Sequence, residues 1–195
     1  MIIARLKNWR KMIPAMECHP GCHKCCDGFA PDMMKEEWYR INHPGKYSMG
    51  EPLDTCPFLI DKGCEIYHQR PLICRMFGTV AKEDVEAADL PGGLTIFCRE
   101  GMQPKTPLPL ADALRITTDY IRLQHHQVGQ TVQDFAHWHK VADLKAEIPE
   151  KFQWLQYFLA TATGRKLYQM QRQRLVLDDR ELARVQKMTE IMEAR

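Results

Sequence analysis

Long apolar runs are missing from this 195-residue sequence. None approaches the roughly 20 residues of a membrane-spanning helix, so that use is excluded. A large excess of one charge is missing too. The formal net charge is +2, which offers no broad basic surface to nucleic acid. A secretory leader is not expected, because Met1-Ile2-Ile3-Ala4 runs into Arg5 and Lys7 and no small-residue cleavage site follows. A glycine-rich phosphate loop, a nucleophile elbow and paired carboxylates at acid–base spacing are all lacking, so whether the chain is an enzyme stays uncertain. There is no internal repeat or low-complexity tract, and no cysteine follows position 98.

What the sequence does have is a dense set of thiols ahead of that position. Cys18, Cys22, Cys25 and Cys26 fall within nine residues, and Cys56, Cys64, Cys74 and Cys98 follow. Thiols this dense serve as disulfides or as metal ligands. Without an export signal the expected compartment is the reducing cytoplasm, where stable disulfides are rare and metal binding is the better use. The alternative is a disulfide framework in a secreted protein. The neighbours Cys25 and Cys26 argue against it, since they bridge each other only through a strained ring.

The apolar pattern divides the chain. Ile2, Leu6, Trp9 and Ile13 make one helical stripe with Arg5, Lys7, Arg10 and Lys11 off it, and Pro14 stops it. That stripe suits a helix docked on a core better than a basic membrane anchor. A cysteine loop over residues 17–31 leads to a short helix at 33–41 and a turn at Asn42-His43-Pro44-Gly45. Residues 56–67 read as a hairpin around Asp61-Lys62-Gly63, with Ile60 facing Cys64. Cys56 then lies four residues from that pair, about 13 Å along a regular strand. Either the strand bends, with Pro57 the cause, or Cys56 and Cys64 serve different metals. Pro71 and Gly78 bracket a helical turn. Residues 82–90 read as a solvated acidic segment, and 94–98 as a strand delivering Cys98. Pro104–Pro109 reads as a linker. Beyond it come a helix with Leu110, Ala113, Leu114, Thr117 and Ile121 on one face and a separate helix start at Thr131-Val-Gln-Asp134. A stripe of Phe152, Leu155, Phe158 and Leu159 ends near Gly164, and a last helix begins at Asp178 with Leu182, Val185 and Met192 inward.

The spacing Cys18-x3-Cys22-x2-Cys25 sets three thiols on one tight loop, and Cys26 projects away from Cys25 toward a second centre or the far side of a polynuclear one. Zinc with four cysteines is usually built from two C-x2-C knuckles, and only Cys22–Cys25 has that form. Iron–sulfur clusters accept looser spacings from distant segments, so the pattern leans toward iron–sulfur without excluding zinc. The Cys18–Cys25 spacing also matches the cluster loop of radical S-adenosylmethionine enzymes, but the repeated strand–helix units of those barrels are not here. Arg70 and Arg75 bracket Cys74 on one turn and, with Lys24 and Arg99, could offset thiolate charge. Arg70 and Arg75 could instead hold an anionic substrate or cofactor. His19, His23 and His68 could replace a thiolate. His125-His126 and His137-x-His139 lie in the helical half, where an i, i+2 pair points to different faces. Arg165, Lys166, Arg172 and Arg174 fit a solvated helix face better than a nucleic-acid face.

Four stretches together resemble the YkgJ-like cysteine-cluster family, the CxxCxxCC domain described as zinc- or iron-chelating. They are Cys22-His-Lys-Cys25-Cys26, Cys56-Pro-Phe-Leu59, Gly63-Cys64-Glu-Ile-Tyr67 and Arg70-Pro71-Leu-Ile-Cys74-Arg75-Met-Phe77. Cys18 stands one residue further upstream than in the commonest form. The resemblance spans about residues 16–100 and implies cytoplasmic metal binding. A related domain in flagellin lysine methylases hints at an enzyme acting on a protein or small molecule. The expectation is an α+β, mainly α chain, with a cysteine-cluster module at 1–104 and a helical region at 105–195 packed on it or hinged to it. The expected metal is a 4Fe–4S cluster or zinc, with more than one ion, held by the eight cysteines. The centre is structural or electron-carrying, and the helical region is a candidate docking surface for a protein partner.

Overall fold

The computed structural model describes residues 2–16, 18, 22, 24–26, 30–41, 53, 55–61, 63–87, 98, 102, 104–141, 150–161 and 164–165. Helix α1 (Ile2–Met12) has Leu6 and Trp9 inward, ends on Arg10 and Lys11, and is followed by buried Ile13. Basic residues there suit the negative end of the helix dipole. Helix α2 (Lys35–Ile41) buries Glu37, Trp38 and Ile41. A two-stranded antiparallel hairpin, β1 (Leu59–Ile60) and β2 (Gly63–Cys64), leads into a 3-10 turn at Tyr67–Gln69. Helices α3 (Leu72–Met76) and α4 (Lys82–Ala87) follow, then the long α5 (Leu110–Val141) and α6 (Glu150–Ala160). The fold is therefore α+β and mainly helical.

Several expectations change. The segment expected to be a solvated acidic stretch contains α4, because Val85 is buried and Lys82 pairs with Glu86 one turn on. Pro104–Pro109 does not hang free: Leu108 is buried and its N–H donates to the Thr79 carbonyl at 2.7 Å. The second helix start at Thr131 does not occur, since Thr131 is buried within an unbroken α5. Ile121 is exposed, and the inward face runs instead through Ala113, Ile116, Thr117 and Tyr120 to Val128, Val132 and Phe135. The turn at 42–45, residues 94–97 and the helix expected from Asp178 lie outside the described residues.

Two apolar clusters form. One gathers Leu6, Trp9 and Ile13 with Met34, Leu72, Met76, Val80, Val85 and Leu108, plus Ala113, Ile116 and Tyr120 of α5. The other joins Cys26, Met33, Trp38, Cys56, Phe58 and Ile66 to Val128, Val132 and Phe135 of α5 and the aromatic side chains of α6. Helix α6 fixes both flanks of the cysteine region. Trp154 Nε1 donates to the Met33 carbonyl at 2.9 Å, and the Tyr157 hydroxyl to the Pro31 carbonyl at 2.8 Å. The Thr161 hydroxyl lies 2.6 Å from Asp32 Oδ1, and Leu53 N–H donates to the Ala160 carbonyl. Residues just after the first thiols and just before Cys56 are thus held by one element.

A buried carboxylate ties the other helices together. Glu37 is 1% exposed. Its Oε1 accepts from Arg10 at 3.0 Å and from the Leu72 N–H at 2.7 Å; its Oε2 accepts from the Met34 N–H at 3.3 Å and the Tyr120 hydroxyl at 2.7 Å. Leu72 and Met34 stand at the starts of α3 and α2, so one side chain satisfies orphan N–H groups of two helices. A buried charge this well bonded is costly to disturb. Glu37→Gln turns an acceptor into a donor facing other donors, and a loss of about 3 kcal/mol is expected, read from the urea midpoint. Burial, then the adjacent Glu37, pushes the Tyr120 hydroxyl well above its usual value. The unfolded chain ionises it near 10.0, so stability is full below that pH and falls above it. Tyr120→Phe should flatten the stability profile between about pH 9 and 11, measured by urea unfolding across that range.

Candidate metal centre

The hairpin brings distant thiols together because it is shorter than a regular one. Leu59, not Ile60, faces Cys64, and Ile60 pairs with Gly63 across a two-residue turn. Before β1 the chain turns at Pro57-Phe58, where the Leu59 N–H donates back to the Cys56 carbonyl at 3.1 Å. The bend at Pro57 therefore removes the separation that a straight strand would impose on Cys56 and Cys64. The same backbone device recurs at both residues. Cys56 sulfur accepts from the Phe58 N–H, and Cys64 sulfur from the Ile66 N–H, each two residues on. An N–H aimed at sulfur favours the thiolate.

Cys26 is the hub of this group. Its thiol is in hydrogen-bond contact with Cys25, Cys56 and Cys64. Cys26 thus does not turn away from Cys25, as adjacency suggested. Cys26 and Cys56 are buried in the larger apolar cluster, and Cys25 and Cys64 pack against it. With three neighbouring sulfurs competing for its one S–H proton, the Cys26 thiol holds that proton well above the usual range, and burial adds to the effect. Its neighbours move the other way. Cys64 is drawn down to about 7, first by the Cys26 hydrogen bond and then by the Ile66 N–H and Arg70. Cys56 is lowered chiefly by the Cys26 hydrogen bond, against the effect of burial.

The other thiols stand around this hub. Cys74 feels the charges of Cys56, Cys25 and Cys64, and burial of its sulfur pushes its pKa up. The residue as a whole keeps some surface, so it is the thiol end that faces inward. Cys18 is hydrogen-bonded to the side chain of Tyr67, whose oxygen lies 3.4 Å from the Met16 carbonyl. Cys98 sits against Gly78, which adopts φ +80° and whose missing Cβ would lie 3.2 Å from Cys98 Cβ and 2.4 Å from Met16 Cε. Cys22 is partly exposed. All eight cysteines are free thiols. Among the described residues, no three Cys, His, Asp or Glu side chains already stand in position to hold an ion. The contacts run as spokes to Cys26.

The two arginines expected near the site divide. Arg70 is 9% exposed, lies 4.0 Å over the Tyr67 ring, donates from Nε to the Tyr67 carbonyl, and acts electrostatically on Cys64 and Cys74. Arg75 is bonded to backbone instead, donating to the carbonyls of Arg70 and His68. His68 is exposed and edge-on to Tyr67. His125 is half-buried, and burial lowers its pKa; His126 and His137 are exposed on α5. Arg165 donates to the Ala160 carbonyl. His19, His23, Arg99, Lys166, Arg172, Arg174 and the His139 side chain lie outside the described residues. Sequence reasoning missed Tyr67 and Gly78 as parts of the site. Tyr67 stands in the Gly-Cys-x-Ile-Tyr stretch, but nothing local reveals its bond to Cys18. Gly78→Ala forces both φ and contact with Met16, so a loss of at least about 1 kcal/mol is expected in thermal unfolding.

Ion uptake must displace the Cys26 proton and, below neutrality, that of Cys64 as well. Affinity for zinc should therefore rise by at least about tenfold per pH unit around pH 7, measured by chelator competition between pH 6 and 8.

Comparison with known proteins adds one match. Residues 17–91 match the family model CxxCxxCC, described as "Putative zinc- or iron-chelating domain". No curated protein and no solved structure gave a significant match. No helix among the described residues is long and apolar enough to cross a membrane. Four thiols meeting at Cys26 and a matched segment that contains all four support the same conclusion: residues 17–91 belong to the YkgJ-like cysteine-cluster family of zinc- or iron-chelating domains.

Proposed function

We propose that the protein is a metal-binding protein whose principal centre is a four-thiolate site of Cys25, Cys26, Cys56 and Cys64. The observation that carries this reading is the set of contacts at Cys26, which joins three separate segments through sulfur alone. All-sulfur tetrahedral donors suit zinc or iron. A single tetrahedral ion needs only these four sulfurs and no inorganic sulfide, which makes it the simplest occupant of such a donor set. The second reading, a 4Fe–4S cluster, is favoured by donors drawn from remote segments with irregular spacing.

The centre is structural or electron-carrying. Cys26 and Cys56 lie in the core, and four protein thiolates leave no open position for a substrate. We assign Cys18, Cys74 and Cys98 to a second group of donors: Cys18 bonds Tyr67, whose hydroxyl reaches the Met16 carbonyl, Cys98 and Met16 both flank Gly78, and Cys74 lies one turn before it. Arg70 offsets the negative charge that thiolates accumulate between the two groups. The helical region packs on the cysteine module and forms part of both apolar clusters, with a cytoplasmic location consistent with free thiols.

Metal and sulfide analysis of protein purified without air tests this reading. About two ions per chain are expected, without acid-labile sulfide for mononuclear sites and with it for a cluster. Cys26→Ser should remove one site and lower the unfolding temperature, because binding free energy here is folding free energy. Protein that binds no thiophilic metal, or a Cys26→Ser variant with unchanged metal content, overturns the proposal. A firm ratio of one ion overturns the second group alone.

A further inference from the structure

The carbonyls at the end of the 3-10 turn are unusually rich in guanidinium contacts. Its last three carbonyls each take an arginine from elsewhere in the fold. The His68 carbonyl accepts from Arg75 Nη2 at 2.6 Å, the Gln69 carbonyl from Arg40 Nη2 at 3.0 Å, and the Arg70 carbonyl from Arg75 Nε at 3.1 Å and Arg10 Nη2 at 3.4 Å. Capping a turn explains one such contact, since its terminal carbonyls lack partners. It does not explain three arginines on consecutive carbonyls, because any neutral donor does that work without mutual repulsion.

Charge sharpens the point. Arg10 spends its charge on Glu37. Arg70 lies under Tyr67 and acts on Cys64 and Cys74. Arg40 and Arg75 feel the Glu37 carboxylate as well, but without forming an ion pair with it. Neither pairs with a carboxylate among the described residues, and both bond only to backbone oxygens there. Each repels Arg10, and Arg75 also repels Arg40 and Arg70. Three of the five N–H groups of Arg75 and four of those of Arg40 make no bond to a described residue. Arg40 is exposed and Arg75 half-exposed, so those groups are open to a ligand.

We propose that Arg40 and Arg75 form a binding site for the phosphate group of a small-molecule ligand. Arg10, Arg40 and Arg75 set against the single carboxylate of Glu37 leave two positive charges, which match one dianion. Guanidinium forks match tetrahedral oxyanions in shape and bond them bidentately. Both guanidinium groups are anchored on the carbonyls of residues 68–70, a span that matches one compact group and not the extended backbone of a nucleic acid. The site is independent of the metal centre, since neither arginine is assigned to the sulfurs.

Titrating inorganic phosphate and pyrophosphate into the metal-loaded full chain, followed by calorimetry and by the arginine Nε–H NMR signals, tests it. Saturable one-to-one binding is expected, with shifts confined to Arg40 and Arg75 and tighter binding of pyrophosphate if the natural ligand carries a polyphosphate. Arg40→Gln leaves an exposed position and should weaken binding about tenfold with metal content unchanged. Arg75→Lys keeps the charge and should weaken it similarly, because the bidentate fork is lost. Arg115→Gln, at an exposed pair with Asp112, should change nothing. Absence of saturable binding at millimolar phosphate, equal binding by Arg40→Gln, or full displacement by about 0.1 M chloride, where bare surface attraction is already screened, overturns the proposal. Retained phosphate binding in protein that fails to take up metal would fault the metal reading alone.

Discussion

An ionised side chain in the interior sets the geometry of the cysteine-bearing half. Glu37 is enclosed by donors from α1, the start of α2, α3 and α5, and a buried carboxylate is tolerated only while such hydrogen bonds are in place. This makes the positions of four elements conditional on one another. Helix α3 carries Cys74 and Arg75, and its first N–H is bonded to Glu37. The carboxylate thus reaches the sulfur region through one helical turn, without touching a thiol.

The 3-10 turn at Tyr67–Gln69 separates two charge environments. On one side, thiols tend toward negative charge, with Cys64 drawn down to about 7 and Arg70 facing it. On the other, Arg10, Arg40 and Arg75 crowd the carbonyls. Arg70 belongs to both sides, its side chain over Tyr67 and its carbonyl accepting from two neighbours. Replacing it by lysine would keep the charge and lose the planar stacking that fixes its direction.

Much of this was readable from residue order, and the failures share a cause. The stripe Leu6, Trp9, Ile13, the turn bracketed by Pro71 and Gly78, and the aromatic face of α6 rest on local periodicity, and all appear. The hairpin was placed correctly but misregistered by one residue, because Gly63 joins β2 instead of the loop. The strand does bend at Pro57, as one of the two readings for Cys56 and Cys64 required. The start signal at Thr131 misled because capping residues inside a helix look the same in sequence as capping residues at its end; packing of Val128 and Val132 on the second cluster overrides it. Glu37 was invisible. Its partners Arg10, Leu72 and Tyr120 lie 27, 35 and 83 residues away, beyond any local pattern.

Helix α5 has 32 residues and is about 48 Å long. Its first half packs with α1 and α3, and its second half with the cluster that contains Cys26 and Cys56. No loop interrupts it to absorb a displacement. One unbroken helix therefore forms a wall of both clusters, so the surroundings of the sulfurs and the Glu37–Tyr120 contact are built on a single continuous element.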